Sequence, residues 1–80
     1  LYQGQLAARR NLAFTRNCTI RDLSDGGARV SRYDLELLGR DPVLIVIRDG
    51  VAAWGRVAWM DERSVGLAFE RRADLRSTAE

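Results

Sequence analysis

Residues 18–30 read Cys18-Thr19-Ile20-Arg21-Asp22-Leu23-Ser24-Asp25-Gly26-Gly27-Ala28-Arg29-Val30. Upstream of the turn, Leu12, Phe14, Cys18 and Ile20 share one parity and Thr15, Asn17, Thr19 and Arg21 the other. That is the period of a half-buried strand, with Arg16 as the discordant position. Asp22 to Gly27 then collects turn residues: Asp and Ser side chains bond nearby backbone, and glycine adopts conformations other residues avoid. Beyond it, Ala28 and Val30 alternate with Arg29 and Ser31 as a second short strand. Two antiparallel strands joined at a tight corner are expected.

The same punctuation extends in both directions. Leu1 to Ala8 supplies a first strand, closed by the polar break Arg9-Arg10-Asn11. Tyr33 to Pro42 is irregular. The run from Val43 to Ile47 is rich in β-branched residues and too short for a buried helix, so it reads as a strand. Asp49-Gly50 is a hairpin signal leading into Val51–Met60, and Asp61-Glu62-Arg63 makes the next turn. Val65, Leu67 and Phe69 then alternate with Gly66, Ala68 and Glu70. The polar tail from Arg71 to Glu80 fits a short helix or a frayed end. Six short strands without a long helix give an all-β fold, most economically a six-stranded antiparallel β-barrel, because closure removes exposed edges. Val65, Leu67 and Phe69 are expected to face inward with Ile20 and Ile45. Trp54 and Trp59 fall on opposite parities of one strand, which places one in the core and one on the surface unless a bulge intervenes.

Eighty residues make a single domain, 1–80, with one modest core. The longest apolar run, Val43 to Ile47, is far too short to cross a membrane, so no membrane insertion is expected. Histidine is absent and Cys18 is the single cysteine. That removes the commonest general base, the Ser-His and Cys-His nucleophile pairs, internal disulfides and Cys/His metal sites. A non-enzymatic role is expected, with no catalytic residues, metal or cofactor. All 13 basic residues are arginine, against 11 acidic ones, for a net charge of +2. Acids follow arginines closely, as at Arg21-Asp22 and Arg48-Asp49, which disfavours a nucleic-acid groove.

The corner carries the spacing Asp22-x-Ser24-x-x-Gly27. The carboxylate can accept from a guanine N1–H and N2–H₂ edge, the hydroxyl can donate to a phosphate, and glycine permits close approach. These residues also suit any tight turn that bonds its own backbone. The wider run from Cys18 to Val30, with Gly55-Arg56-Val57-Ala58-Trp59 and Val65-Gly66-Leu67-Ala68-Phe69 as a closing hairpin, resembles the PilZ family over nearly the whole chain. The resemblance implies a six-stranded barrel that binds cyclic di-GMP, a bacterial second messenger, through Asp22, Ser24 and Gly27. Arg29, two residues on, is a further candidate for a ligand phosphate.

The family's Arg-x-x-x-Arg motif, which stacks on guanine and bonds its edge, departs from the pattern here. Arg9 would need an arginine at Ala13 and Arg10 one at Phe14. Both lie at the far end of a strand of roughly 25 Å from the corner. Arg72-x-x-x-Arg76 has the spacing but follows the last strand, where chance and a solvated helix face account for it. By the resemblance the motif would fall immediately upstream of Leu1, outside this sequence; either it stands there in a longer protein or the domain never had it. The leading expectation is a cytoplasmic regulatory domain that transmits cyclic di-GMP levels to an adjacent domain or partner protein. The alternative is a PilZ-like barrel that binds no nucleotide and serves as a protein-interaction module.

Overall fold

Strands form where the period-two runs lie. The computed structural model describes residues 1–76 and contains β1 (Tyr2–Ala8), β2 (Asn11–Leu23), β3 (Gly27–Ser31), β4 (Val43–Val46), β5 (Val51–Met60) and β6 (Ser64–Asp74). One short helix, α1 (Arg32–Leu35), follows β3. The strands close into a barrel in the order β1-β2-β3-β6-β5-β4. Every neighbouring pair is antiparallel. β1–β2, β2–β3, β4–β5 and β5–β6 pair as neighbours in the chain, and the sheet is shut by two long-range pairings, β3 with β6 and β1 with β4.

The interior is filled by alternate residues of each strand. Leu6, Cys18, Ile20, Val30, Leu44, Val46, Val65 and Leu67 are buried in one cluster, with Phe69 and Val57 packed against it. Leu35 and Leu38 join that cluster from the segment after β3, so α1 closes the barrel end beyond Ser31. Ser31 caps this single turn, its Oγ accepting from the Tyr33 N–H at 3.2 Å. Arg9 stitches together three distant segments: its guanidinium donates to the carbonyls of Asp41 (2.9 Å) and Gly55 (2.7 Å) and to Glu70 (3.1 Å). Its fork is therefore committed to the fold. Among the described residues no helix is long and apolar enough to cross a membrane.

Several expectations are corrected. Residues 71–74 are strand, because β6 keeps pairing with β5 through Val51↔Asp74, so no helix forms there; residues 77–80 lie outside the described residues. Arg72 accordingly stands on a strand and reaches Asp25 at 3.5 Å. Leu12 and Phe14 are 53% and 41% exposed. The reason is register: Ala7↔Thr15 is followed directly by Ala8↔Asn11, which leaves residues 12–14 as an excursion without partners on β1. Ile45 does not face inward. Leu44 and Val46 take the interior of β4, while Ile45 packs with Ala7, Val43, Ala52 and Trp54 in a second cluster on the outer side. An apolar run of five shows no period, so its facing is invisible in sequence.

Neither tryptophan enters the barrel core. Trp54 covers the outer cluster under the Arg71 guanidinium, 4.3 Å from its ring centroid. Trp59 is 47% exposed. The register of β5 against β6 slips between Trp54 and Gly55 and again between Val57 and Trp59. The first slip places its extra residue, Glu70, on β6 and leaves the alternation of β5 intact. The second makes Ala58 an extra residue in β5 and flips the facing after it, so Trp54 and Trp59, five apart, both point outward.

Candidate functional site

The corner between β2 and β3 is tighter than the turn residues alone require. β2 runs through Leu23, so Asp22 sits on the strand itself, paired in register with Arg29. The turn closes through the Ser24 N–H, which donates to the Gly27 carbonyl at 2.9 Å, and the Ser24 hydroxyl bonds the same oxygen at 3.4 Å. The Phe69 N–H donates to the Gly26 carbonyl at 2.9 Å, fastening the corner to β6. All four candidate residues, Asp22, Ser24, Gly27 and Arg29, line one shallow outer groove of about 430 Å³.

Their roles divide. Arg29 Nε donates to Asp22 Oδ2 at 2.5 Å, and Nη1 reaches Ser64 Oγ at 3.4 Å. Asp22 is thereby oriented, with Oδ1 accepting no hydrogen bond among the described residues. Gly27 serves the protein's own backbone. A Cβ there would collide with the Leu67 carbonyl oxygen of β6, so the glycine is required whether or not a ligand approaches. Ser24 is engaged as a turn residue, with its hydroxyl hydrogen the one group that can be redirected.

The groove also contains residues that the sequence pattern did not join to the corner. Arg29↔Gly66 and Trp59↔Gly66 are register partners, as are Gly27↔Ala68 and Arg56↔Ala68. The outer face therefore carries two adjacent rows, Arg29-Gly66-Trp59 and Gly27-Ala68-Arg56. Gly66 and Ala68 leave the middle strand almost bare, and the Trp59 indole lies across Gly66 in the space a Cβ would take. Small residues at the outward positions of β6 were the available signal. Only the bulge at residues 57–59, a tertiary feature, brings Trp59 over them.

Two carboxylates near the arginine pairs are held charged. Backbone N–H groups of Arg63 and Ser64, at 2.9 and 2.7 Å, hold Asp61 below the usual carboxylate range, with weaker help from Arg29 and Arg32. The Arg48 guanidinium does the same for Asp49. Cys18 is the opposite case: burial, then the Asp34 charge, push its thiol up to about 12. A thiol that stays protonated within a packed core is a small hydrophobe rather than a nucleophile. Comparison of the chain with models of protein families, with curated proteins and with solved structures finds no match.

Proposed function

We propose that this barrel is a non-enzymatic regulatory domain that takes cyclic di-GMP on the outer face at the β2–β3 corner. The observation that carries the reading is the convergence of Asp22, Ser24, Gly27 and Arg29 on one groove beside the exposed indole of Trp59. Asp22 Oδ1 would accept from the guanine Watson–Crick edge while Arg29 holds the carboxylate in place. The indole, seated across Gly66, offers its exposed side as a stacking surface for a purine, next to the small side chain of Ala68. Arg29 and Arg56 border these rows as partners for phosphate.

The test is a ¹⁵N NMR titration of the chain with cyclic di-GMP to millimolar concentration. Saturable shifts of the Ser24 and Gly27 amides and of the Trp59 indole N–H are expected, with weak affinity. The charge-assisted arginine contacts of the resembling family are worth roughly 1.5–3 kcal/mol each, so two missing ones weaken binding by about two to four decades. Asp22→Ala should remove the shifts at Ser24 and Gly27. Titration to millimolar nucleotide without movement at these positions would reject the reading.

A second reading, a protein-interaction module without nucleotide binding, is favoured by one feature at the other end of β2. Leu12, Phe14 and Leu37 are exposed; Arg10 both stacks on Phe14 and donates to the Leu37 carbonyl, which gathers those two in one place, and Leu12 belongs to the same unpaired excursion of β2 as Phe14. A triple substitution to serine that leaves cyclic di-GMP titration unchanged but abolishes association with a regulated protein would favour this module.

A further inference from the structure

The arginines of this chain are mostly spoken for. Arg9, Arg29, Arg48, Arg56, Arg72 and Arg76 each lie within ion-pair distance of a carboxylate. Arg10, Arg16 and Arg71 stack on Phe14, Tyr33 and Trp54. Among the described residues, the arginines with neither a carboxylate nor a ring are Arg21, Arg32, Arg40 and Arg63. Three of these four, all but Arg40, line a single groove of about 800 Å³ together with Arg29.

The fold brings them there by separate devices. Arg21 is the extra residue of a bulge in β2, between the pairs Ile20↔Val30 and Asp22↔Arg29, and a bulge re-aims the side chain it carries. Arg32 and Arg63 meet at the end of β3 and the start of β6, the Arg32 N–H donating to the Arg63 carbonyl at 2.8 Å. Arg29 crosses from the corner groove to Ser64. The hydroxyls of Ser31 and Ser64 line the same space. Each accepts one hydrogen bond from the protein and keeps its own hydrogen to donate.

The acids nearby do not close the site. Asp22 is taken by Arg29, and Asp61 is turned into its own loop by the amides of Arg63 and Ser64. Glu36 and Glu62 also line the groove, yet neither pairs with an arginine among the described residues.

We propose that Arg21, Arg32 and Arg63, with Arg29, form a binding site for a phosphate-bearing ligand, joined to the corner groove through Arg29. A phosphate group presents several oxygens tetrahedrally and engages more than one guanidinium fork and a hydroxyl at once. A carboxylate satisfies a single fork. The site rests on the arginines alone and stands whether or not the corner takes cyclic di-GMP.

The probe is inorganic pyrophosphate, titrated at constant ionic strength into the chain while backbone amides and arginine Nε–H resonances are followed by NMR. Saturable shifts confined to Arg21, Arg29, Arg32, Arg63 and Ser64 are expected. Arg21→Gln and Arg63→Gln should each weaken the interaction about tenfold, Glu62→Gln should strengthen it, and Arg40→Gln should leave it unchanged. These are exposed positions, and thermal melts check that each variant folds. Shifts that rise linearly and spread over all the arginines would overturn the proposal, as would equal losses in Arg40→Gln and Arg63→Gln. A tri-glutamate peptide binding this groove more tightly than pyrophosphate would also overturn it, in favour of an acidic protein partner. Pyrophosphate binding here beside a corner unmoved by cyclic di-GMP would reject the nucleotide reading alone.

Discussion

Gly26 and Gly27 are adjacent, alike in sequence, and should respond oppositely to alanine. At Gly27 the new Cβ would meet the Leu67 carbonyl oxygen, backbone of the neighbouring strand that cannot swing aside. To relieve the clash β3 must part from β6, straining two bonds that close the corner, Ser24 N–H to Gly27 and Phe69 N–H to Gly26, both 2.9 Å. At roughly 0.5–1.5 kcal/mol net for each bond, with about 1–3 kcal/mol of overpacking strain, Gly27→Ala should cost about 2–6 kcal/mol. At about 4–8 °C per kcal/mol for a domain of this size, that lowers the melting temperature by at least about 8 °C. At Gly26 nothing lies within 4 Å of the added carbon. Gly26→Ala should be neutral, or stabilising by up to about 1 kcal/mol through reduced unfolded-state freedom.

Gly66→Ala is the intermediate case. The obstacle is the Trp59 indole, an exposed side chain that can rotate away, so stability should fall by less than about 1 kcal/mol while Trp59 leaves the groove. Urea unfolding followed by far-ultraviolet circular dichroism measures all three variants. A Gly27→Ala protein within about 0.5 kcal/mol of wild type, or a Gly26→Ala protein equally damaged, would refute the close-approach argument. Gly27 would then be kept for a ligand, not for the barrel.

Leu44→Ala should destabilise by about 2–5 kcal/mol, whereas half-buried Ile45→Ala should cost about 1 kcal/mol; equal losses in urea unfolding would contradict the assigned facing of β4. Because the folded-state pKa of Asp61 is lowered, its contribution to stability is complete above the ordinary carboxylate value of about 4 and is lost as pH falls through the folded value. Asp61→Asn should therefore show a smaller fall in melting temperature between neutral pH and about pH 3 than wild type, and an identical fall would remove Asp61 from that role. Cys18, with its thiol pushed up to about 12, should resist a disulfide reagent at mildly alkaline pH until urea unfolds the chain; rapid modification of the folded protein would show the core to be open.

The strands and the turns between them were legible in the chain alone. Alternation is written residue by residue in stretches such as Val65-Gly66-Leu67-Ala68-Phe69, and Asp22 to Gly27 or Asp49-Gly50 names its turn through local chemistry. The nearness of Asp22 and Arg29 is local too, because a tight corner pairs residues that flank it. Whatever depended on register stayed hidden. Two bulges, at Arg21 and at residues 57–59, leave no mark in composition, yet they aim Arg21 outward and turn Trp59 to the outer face that Trp54 already takes. The unpaired excursion at Leu12–Phe14 is hidden for the same reason, since alternation there predicts burial that no facing strand supplies. Only barrel closure set β3 against β6, placing Gly66 and Ala68 beside Gly27 and Arg63 beside Arg32. Local periodicity reports which residues within one strand share a face; which strand lies opposite, and in what register, is settled by packing between segments far apart in the chain.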